Sequence, residues 1–190
     1  MTNIYFVRHA HSTYTPDERE RPLSEKGWQA AERVTEILQN ESIDAVIASP
    51  YKRAIQTVEG VAKYFQLPIE LEEDLRERLL SLQPVGDFEQ SIMKVWEDPT
   101  FYFEDGESNI TAQERGVACI TEILRKYEGE NIVIGTHGNI MVLIMNYFDS
   151  QYDFSFWKKL HMPDIYKLTF TEGQFVQANR LWKEDIVKKV

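Results

Sequence analysis

Apolar positions along the chain follow two periods. Four runs, at about 2–8, 43–49, 131–137 and 164–170, are continuously apolar or alternating and rich in β-branched and aromatic residues, which predicts strands. Between them the spacing turns helical. Trp28, Ala31, Val34, Ile37 and Leu38 share one helix face, with Ser24 placed to cap it and Pro22 just outside. A second helix is expected after Pro50, and the longest over about 109–127, burying Val117, Ile120, Ile123, Leu124 and Tyr127. Alternating strands and helices predict an α/β fold, a three-layer sandwich whose mostly parallel central sheet carries helices on both faces. Residues 165–179 read as a hairpin turning at Thr171-Glu172-Gly173-Gln174.

One stretch breaks the alternation. Residues 78–106 contain Pro84, Gly86, Pro99 and five aromatics, Phe88, Trp96, Phe101, Tyr102 and Phe103. This predicts a cap insertion over the sheet edge, inside a single domain spanning residues 1–190. The aromatics are expected to serve the core before any ligand pocket.

Composition narrows the partners. At 190 residues and 43% hydrophobic content, one sizeable core is expected. A net charge of -10 excludes nucleic acid as the natural partner, since a phosphate polymer would be repelled by most of the surface. Cys119 is the only cysteine, so neither a disulfide framework nor a cysteine metal cluster is available, which suits a reducing, cytoplasmic setting. The N-terminus runs directly into a strand with Arg8 close behind, and no stretch approaches the roughly 20 apolar residues of a membrane span. Neither a signal peptide nor a membrane association is expected.

The chemistry collects at strand ends. Ile4-Tyr5-Phe6-Val7-Arg8-His9 and Ile132-Val133-Ile134-Gly135-Thr136-His137-Gly138 are strand-like runs that each stop in a histidine. In an α/β sheet, functional groups gather in the crevice at the carboxyl ends of strands. Imidazole can act as a neutral nucleophile or a charged donor near pH 7. After Arg8-His9, the hydroxyls and amides of Ser12, Thr13 and Thr15 can cradle an anion. Arg53 falls in the first turn of the helix after Pro50, where the helix dipole and a guanidinium fork both suit phosphate.

Taken together and in order, Arg8-His9-Ala10, Pro22-Leu23-Ser24-Glu25-Lys26-Gly27 with Gln29-Ala30, Ser49 to Thr57, Leu75-Arg76-Glu77, Gly106-Glu107-Ser108 and Thr136-His137-Gly138 resemble the histidine phosphatase superfamily, the phosphoglycerate mutase-like enzymes. The resemblance runs over about residues 4 to 145. It implies that His9 attacks phosphorus to give a phosphohistidine. Arg8, Arg53 and His137 would hold the phosphoryl oxygens, with Ser12, Thr15 and Gly138 in the phosphate-binding set. Glu77 would protonate the leaving alcohol and then deprotonate the attacking water. The implied partner is a small phosphate ester, and no cofactor is expected.

Three positions depart from that pattern. Ala10 replaces a usual glycine and would be strained if it needed positive φ. Thr15 replaces a common asparagine, and Arg21 stands where an acidic residue often precedes the Pro-Leu pair. His9-Ala10-His11 has the spacing of some metal ligands and could combine with His137. Arg8 and Arg53 would crowd cations around a cation there, so no metal is expected. The rival readings are a cofactor-dependent mutase and a phosphate-binding module without turnover. A mutase must hold two phosphates, yet the cap has only Arg78 and Lys94 against Asp87, Glu89, Glu97, Asp98, Glu104 and Asp105.

Overall fold

The computed structural model describes residues 1–183. In chain order its elements are β1 (Thr2–Arg8), α1 (Glu25–Leu38), β2 (Ala45–Ala48), α2 (Lys52–Phe65), β3 (Ile69–Leu71), a 3-10 turn (Glu73–Leu75), α3 (Phe88–Glu97), α4 (Asn109–Lys126), β4 (Asn131–Thr136), α5 (Gly138–Phe148), α6 (Phe154–Lys159), β5 (Asp164–Thr171) and β6 (Gln174–Arg180). The strands form one six-stranded sheet in the order β3-β2-β4-β1-β5-β6. The pairs β3-β2, β2-β4 and β4-β1 are parallel, and β5 pairs antiparallel with both β1 and β6.

Alternation along β1 builds two cores. Ile4 and Phe6 face the side covered by α4 and α5, packing with Ile120, Ile134 and Ile140. Tyr5 and Val7 face the other side with Val34, Leu38, Val58 and Val61 of α1 and α2. A sheet with apolar residues on both faces must be covered twice, so three layers follow.

The predicted strands and long helices are present, with shifts of one to two residues at their ends. Ser24 caps α1 by accepting the Gly27 N–H. Trp28, expected on the buried stripe, is 40% exposed, and Gly27 faces inward instead. A Cβ at position 27 would lie 2.0 Å from the His11 carbonyl oxygen, so glycine lets α1 sit against the loop that follows β1. The short β3 and the six-residue α6 carry too little periodicity to be read from the sequence.

Candidate active site

Strand order decides which residues meet. Because β4 lies between β2 and β1, the segments leaving these three strands run side by side. The pairing continues one step past the sheet: the His9 N–H donates to Thr136 O at 2.9 Å, and the Ser49 N–H to Gly135 O at 2.9 Å. His137 is thereby flanked by His9 and Ser49. The two imidazoles approach edge-on with centroids 5.2 Å apart, and His137 Nε2 lies 2.8 Å from Ser49 Oγ. The Tyr51 ring closes against His137 at 5.0 Å.

The protonation of His9 follows from its neighbours. Its Nδ1 is 2.8 Å from the Ala10 carbonyl oxygen. A carbonyl can only accept, so Nδ1 carries the proton and Nε2 presents a lone pair. That lone pair receives Arg53 Nε–H at 3.3 Å. Burial, above all, and then the charges of Arg53, Arg8 and Arg21 push the His9 pKa down to about 3, against the opposing pull of the Ala10 carbonyl. Burial likewise holds His137 well below the ordinary imidazole range, with His9 and Arg53 adding to the effect. Both rings are neutral at pH 7. Ala10 is buried, and it is not among the described residues with positive φ, so the strain considered for alanine does not arise.

Four guanidiniums, two more than the sequence motifs supplied, line a cavity whose wall includes Arg53, the residue that contacts His9 Nε2; His9 and His137 themselves lie buried behind that wall. Arg8 Nη1 donates to the carbonyls of Leu160 and His161, both at 3.1 Å, which fixes its plane. Its flat face lies on Gly138, where a Cβ would meet Arg8 Nε at 2.8 Å and Cζ at 2.9 Å. Gly138 thus serves the site by having no side chain. Arg53, 4% exposed, donates through Nη1 to the Glu18 carbonyl at 2.7 Å and through Nη2 to Glu18 Oε1 at 3.0 Å. Arg21 is held by the Thr15 carbonyl, and Arg78 by Asn109 Oδ1 at 2.8 Å. The Nε–H groups of Arg8, Arg21 and Arg78 are buried without a hydrogen-bond partner. The cavity that these groups share with Glu18 and Glu77 has a volume of about 530 Å³. Four cations against two carboxylates make it locally positive in a chain of net charge -10.

Glu77 sits at the start of α5. Its carboxylate accepts the backbone N–H groups of Asn139 at 3.1 Å, Ile140 at 2.9 Å and its own neighbour Arg78 at 2.9 Å. An anion at a helix N-terminus is favoured by the helix dipole and satisfies otherwise orphaned donors. The segment carrying it is clamped. Thr136 Oγ1 donates to Leu75 O at 2.8 Å, and Arg115 Nη1 donates to the carbonyls of Asp74 and Arg76 at 2.6 and 3.0 Å. Arg115 is itself held two-pronged by Glu107 at 2.7 and 2.8 Å. The motif Gly106-Glu107-Ser108 gains a physical meaning here, because Glu107 steadies the brace behind Glu77 and Ser108 caps α4.

Other sequence-predicted groups lie elsewhere. The Thr15 hydroxyl donates to Asp17 O at 2.7 Å, and Ser12 forms an isolated bridge with Leu23, so neither lines the cavity. His11 turns outward to Ser24 Oγ at 2.7 Å, away from a common site with His9 and His137. Among the described residues no group of three His, Cys, Asp or Glu side chains is arranged to hold a metal ion. Within the cap, Arg78, Leu79, Leu80, Ser81, Phe88 and Ile92 line the cavity, and none of its six acids does. The acidic count of the segment therefore misjudges what a ligand meets. Phe88 is 61% exposed at the rim, while Trp96 packs on the core and Phe101 and Phe103 stack edge-to-face under Lys94. The stretch from 154 to 162, given no part in the site by the sequence motifs, supplies Trp157 and Met162 to the wall and two carbonyls to Arg8. The aromatic run Phe154-Ser155-Phe156-Trp157 was the available signal.

A neutral, oriented imidazole among fixed guanidiniums at the strand ends of such a sandwich defines a phosphoryl-transfer enzyme. The chain belongs to the histidine phosphatase superfamily (branch 1), whose family profile matches residues 4–181. Phosphoserine phosphatase 1 of Hydrogenobacter thermophilus is 24% identical over 150 residues, covering 72% of this chain and 71% of that protein. The metal-independent phosphoserine phosphatase of Arabidopsis thaliana is 30% identical over 158 residues, covering 74% of this chain and 66% of that one. Among solved structures, YhfR of Bacillus stearothermophilus aligns with a TM-score of 0.76 at 25% identity, over 93% of this chain and 95% of its own. The protein is a phosphatase of this family. No helix among the described residues is long and apolar enough to cross a membrane.

Proposed function

We propose that the protein hydrolyses small phosphate monoesters through a phosphohistidine on His9 Nε2. The observation that carries this reading is the His9 Nδ1–H bond to the Ala10 carbonyl, which leaves Nε2 as a fixed lone pair facing Arg53. In the first step Nε2 attacks phosphorus and the ester oxygen departs with a proton from Glu77. In the second, Glu77 takes a proton from water, which attacks the phosphohistidine, releases inorganic phosphate and restores neutral His9. Arg8, Arg53 and His137 bear the charge that spreads over the equatorial oxygens, and Arg21 adds to the same positive field. Ser12 and Thr15 act through the course of their loop, the latter by holding Arg21. Residues 78–106 serve as the cap over the leaving-group side of a single domain. The lone free thiol, Cys119, accords with a cytoplasmic setting.

Rapid quenching with a labelled phosphate ester tests the reading. Wild type should carry an acid-labile, base-stable label that is absent from His9→Ala. Label surviving in that variant would remove His9 as the nucleophile, and turnover without any such label would remove the covalent route.

A further inference from the structure

Beside the catalytic cavity lies a second one of about 420 Å³. The two share four wall residues, Arg8, Phe88, Ile92 and Trp157. Beyond them the annex is closed by Phe154 and Leu160, with Phe154 and Trp157 stacked nearly parallel at 5.7 Å. Its only other charged groups are Glu89 and Lys158, which are largely exposed and pair with each other at 3.6 Å across the outer lip, joining α3 to α6. Volumes of this order are those of small-molecule sites, which are mostly apolar with a few polar groups that fix orientation.

Resting on the phosphatase reading above, we propose that this annex is the leaving-group subsite, and that it takes monoesters whose alcohol portion carries an apolar body. The occupant follows from continuity. Arg8, which holds phosphoryl oxygens in this reading, lines both cavities together with Phe88, Ile92 and Trp157, so the annex adjoins the position from which the ester oxygen departs. What leaves the phosphorus then enters a chamber walled by α3 and α6. The apolar wall does not come from the five cap aromatics as a group, because only Phe88 contributes. It comes mainly from α6. A second phosphate would find no free cation inside the annex, since Arg8 is engaged with the first and Lys158 is paired at the lip.

The test is a series of n-alkyl phosphates from ethyl to octyl, whose leaving groups differ in length and hardly in acidity. In wild type kcat/KM should rise by roughly fourfold for each methylene buried. Phe154→Ala shortens the wall, and Phe88→Ala does so at an exposed position with little demand on folding. The readout is the slope of log kcat/KM against chain length within each variant, which a uniform loss of activity does not move. A rising slope in wild type that flattens in either variant supports the subsite. A flat slope in wild type, or one unchanged in both variants, overturns it. Failure of the phosphatase reading is distinct, since then no ester in the series would turn over.

Discussion

Glu18 holds Arg53 with both its main chain and its side chain, while the remaining edge of the same guanidinium points at His9. The three contacts are Nη1 to Glu18 O at 2.7 Å, Nη2 to Glu18 Oε1 at 3.0 Å and Nε to His9 Nε2 at 3.3 Å. Each nitrogen of Arg53 thus has one partner before substrate arrives, and the Glu18 carboxylate is the acceptor with which a phosphoryl oxygen would compete for Nη2. Glu18→Gln should therefore strengthen competitive inhibition by inorganic phosphate. The carboxylate is about half exposed, so the gain is that of a surface pair, roughly two- to fivefold in Ki. It should shrink as salt is added. An unchanged or weaker Ki at low ionic strength would mean that the carboxylate does not compete with the ligand.

Arg53 itself is nearly fully buried and aimed at the nucleophile. Arg53→Ala should lower kcat/KM on an aryl phosphate by roughly 10²- to 10³-fold, the scale for removing one preorganised donor from a developing charge. Arg53→Lys should recover little of this, because an ammonium cannot reproduce the fork. A loss below tenfold in the alanine variant would take Arg53 out of transition-state stabilisation.

The layered fold and the two histidines were legible because both rest on local patterns: periods of two and 3.6, and apolar runs that stop in His9 and His137. Parallel pairing of β1 and β4 then brings the histidines together. What stayed hidden depends on side-chain direction and long-range pairing. The cap's acids show this well. Asp87 caps α3 through Gln90 N–H, Asp98 accepts from Thr100, and Glu89 pairs with Lys158, so the segment's charge says nothing about its inner wall. Arg78 was counted as one cation of an acidic lid, although its burial brings it into the cavity. The Glu18–Arg53 pair and the Arg115 clamp join residues too far apart in sequence for any periodicity to register.

Turnover should survive exhaustive chelation. Four guanidiniums already supply the positive charge that metal-dependent phosphatases draw from paired cations, and His11 is committed to Ser24 at the start of α1. The measurement is kcat/KM before and after chelator treatment, followed by addition of single divalent ions. Activity lost on chelation and restored by one ion would revive a histidine metal site.

Glu77 faces two demands, because its carboxylate both lines the cavity and caps α5. Glu77→Gln keeps one oxygen acceptor and loses the charge at the helix start. Stability should fall by about 0.5–2 kcal/mol, the range for a lost helix cap, seen as a lower urea midpoint. Catalysis should separate by leaving group. Alkyl phosphates, whose alkoxide must be protonated, should lose far more rate than nitrophenyl phosphate, which departs as a stable anion. Equal losses on both substrates would leave the capping role and remove proton donation.

The buried histidines give the protein a characteristic response to acid. Burial, together with Arg53, Arg8 and Arg21, pushes His9 down to about 3, and His137 is shifted the same way. In the unfolded chain each returns to about 6.5. For His9, between about 3 and 6.5, the unfolded state binds a proton that the native state refuses, and His137 acts in the same direction. The stability tied to the neutral rings is therefore complete above about pH 6.5 and drains as pH falls toward 3. The slope for each histidine approaches about 1.4 kcal/mol per pH unit, the worth of one proton. His9→Asn places a side chain that does not titrate at the same position, so its stability should fall less steeply than that of wild type below pH 6.5. Urea unfolding of both proteins from pH 7 down to pH 5 reads the difference, which cancels the carboxylates they share. Parallel curves would show that His9 takes up its proton in the native state as readily as in the unfolded one. In that case the neutral lone pair on Nε2, and the nucleophile built on it, would have to be abandoned.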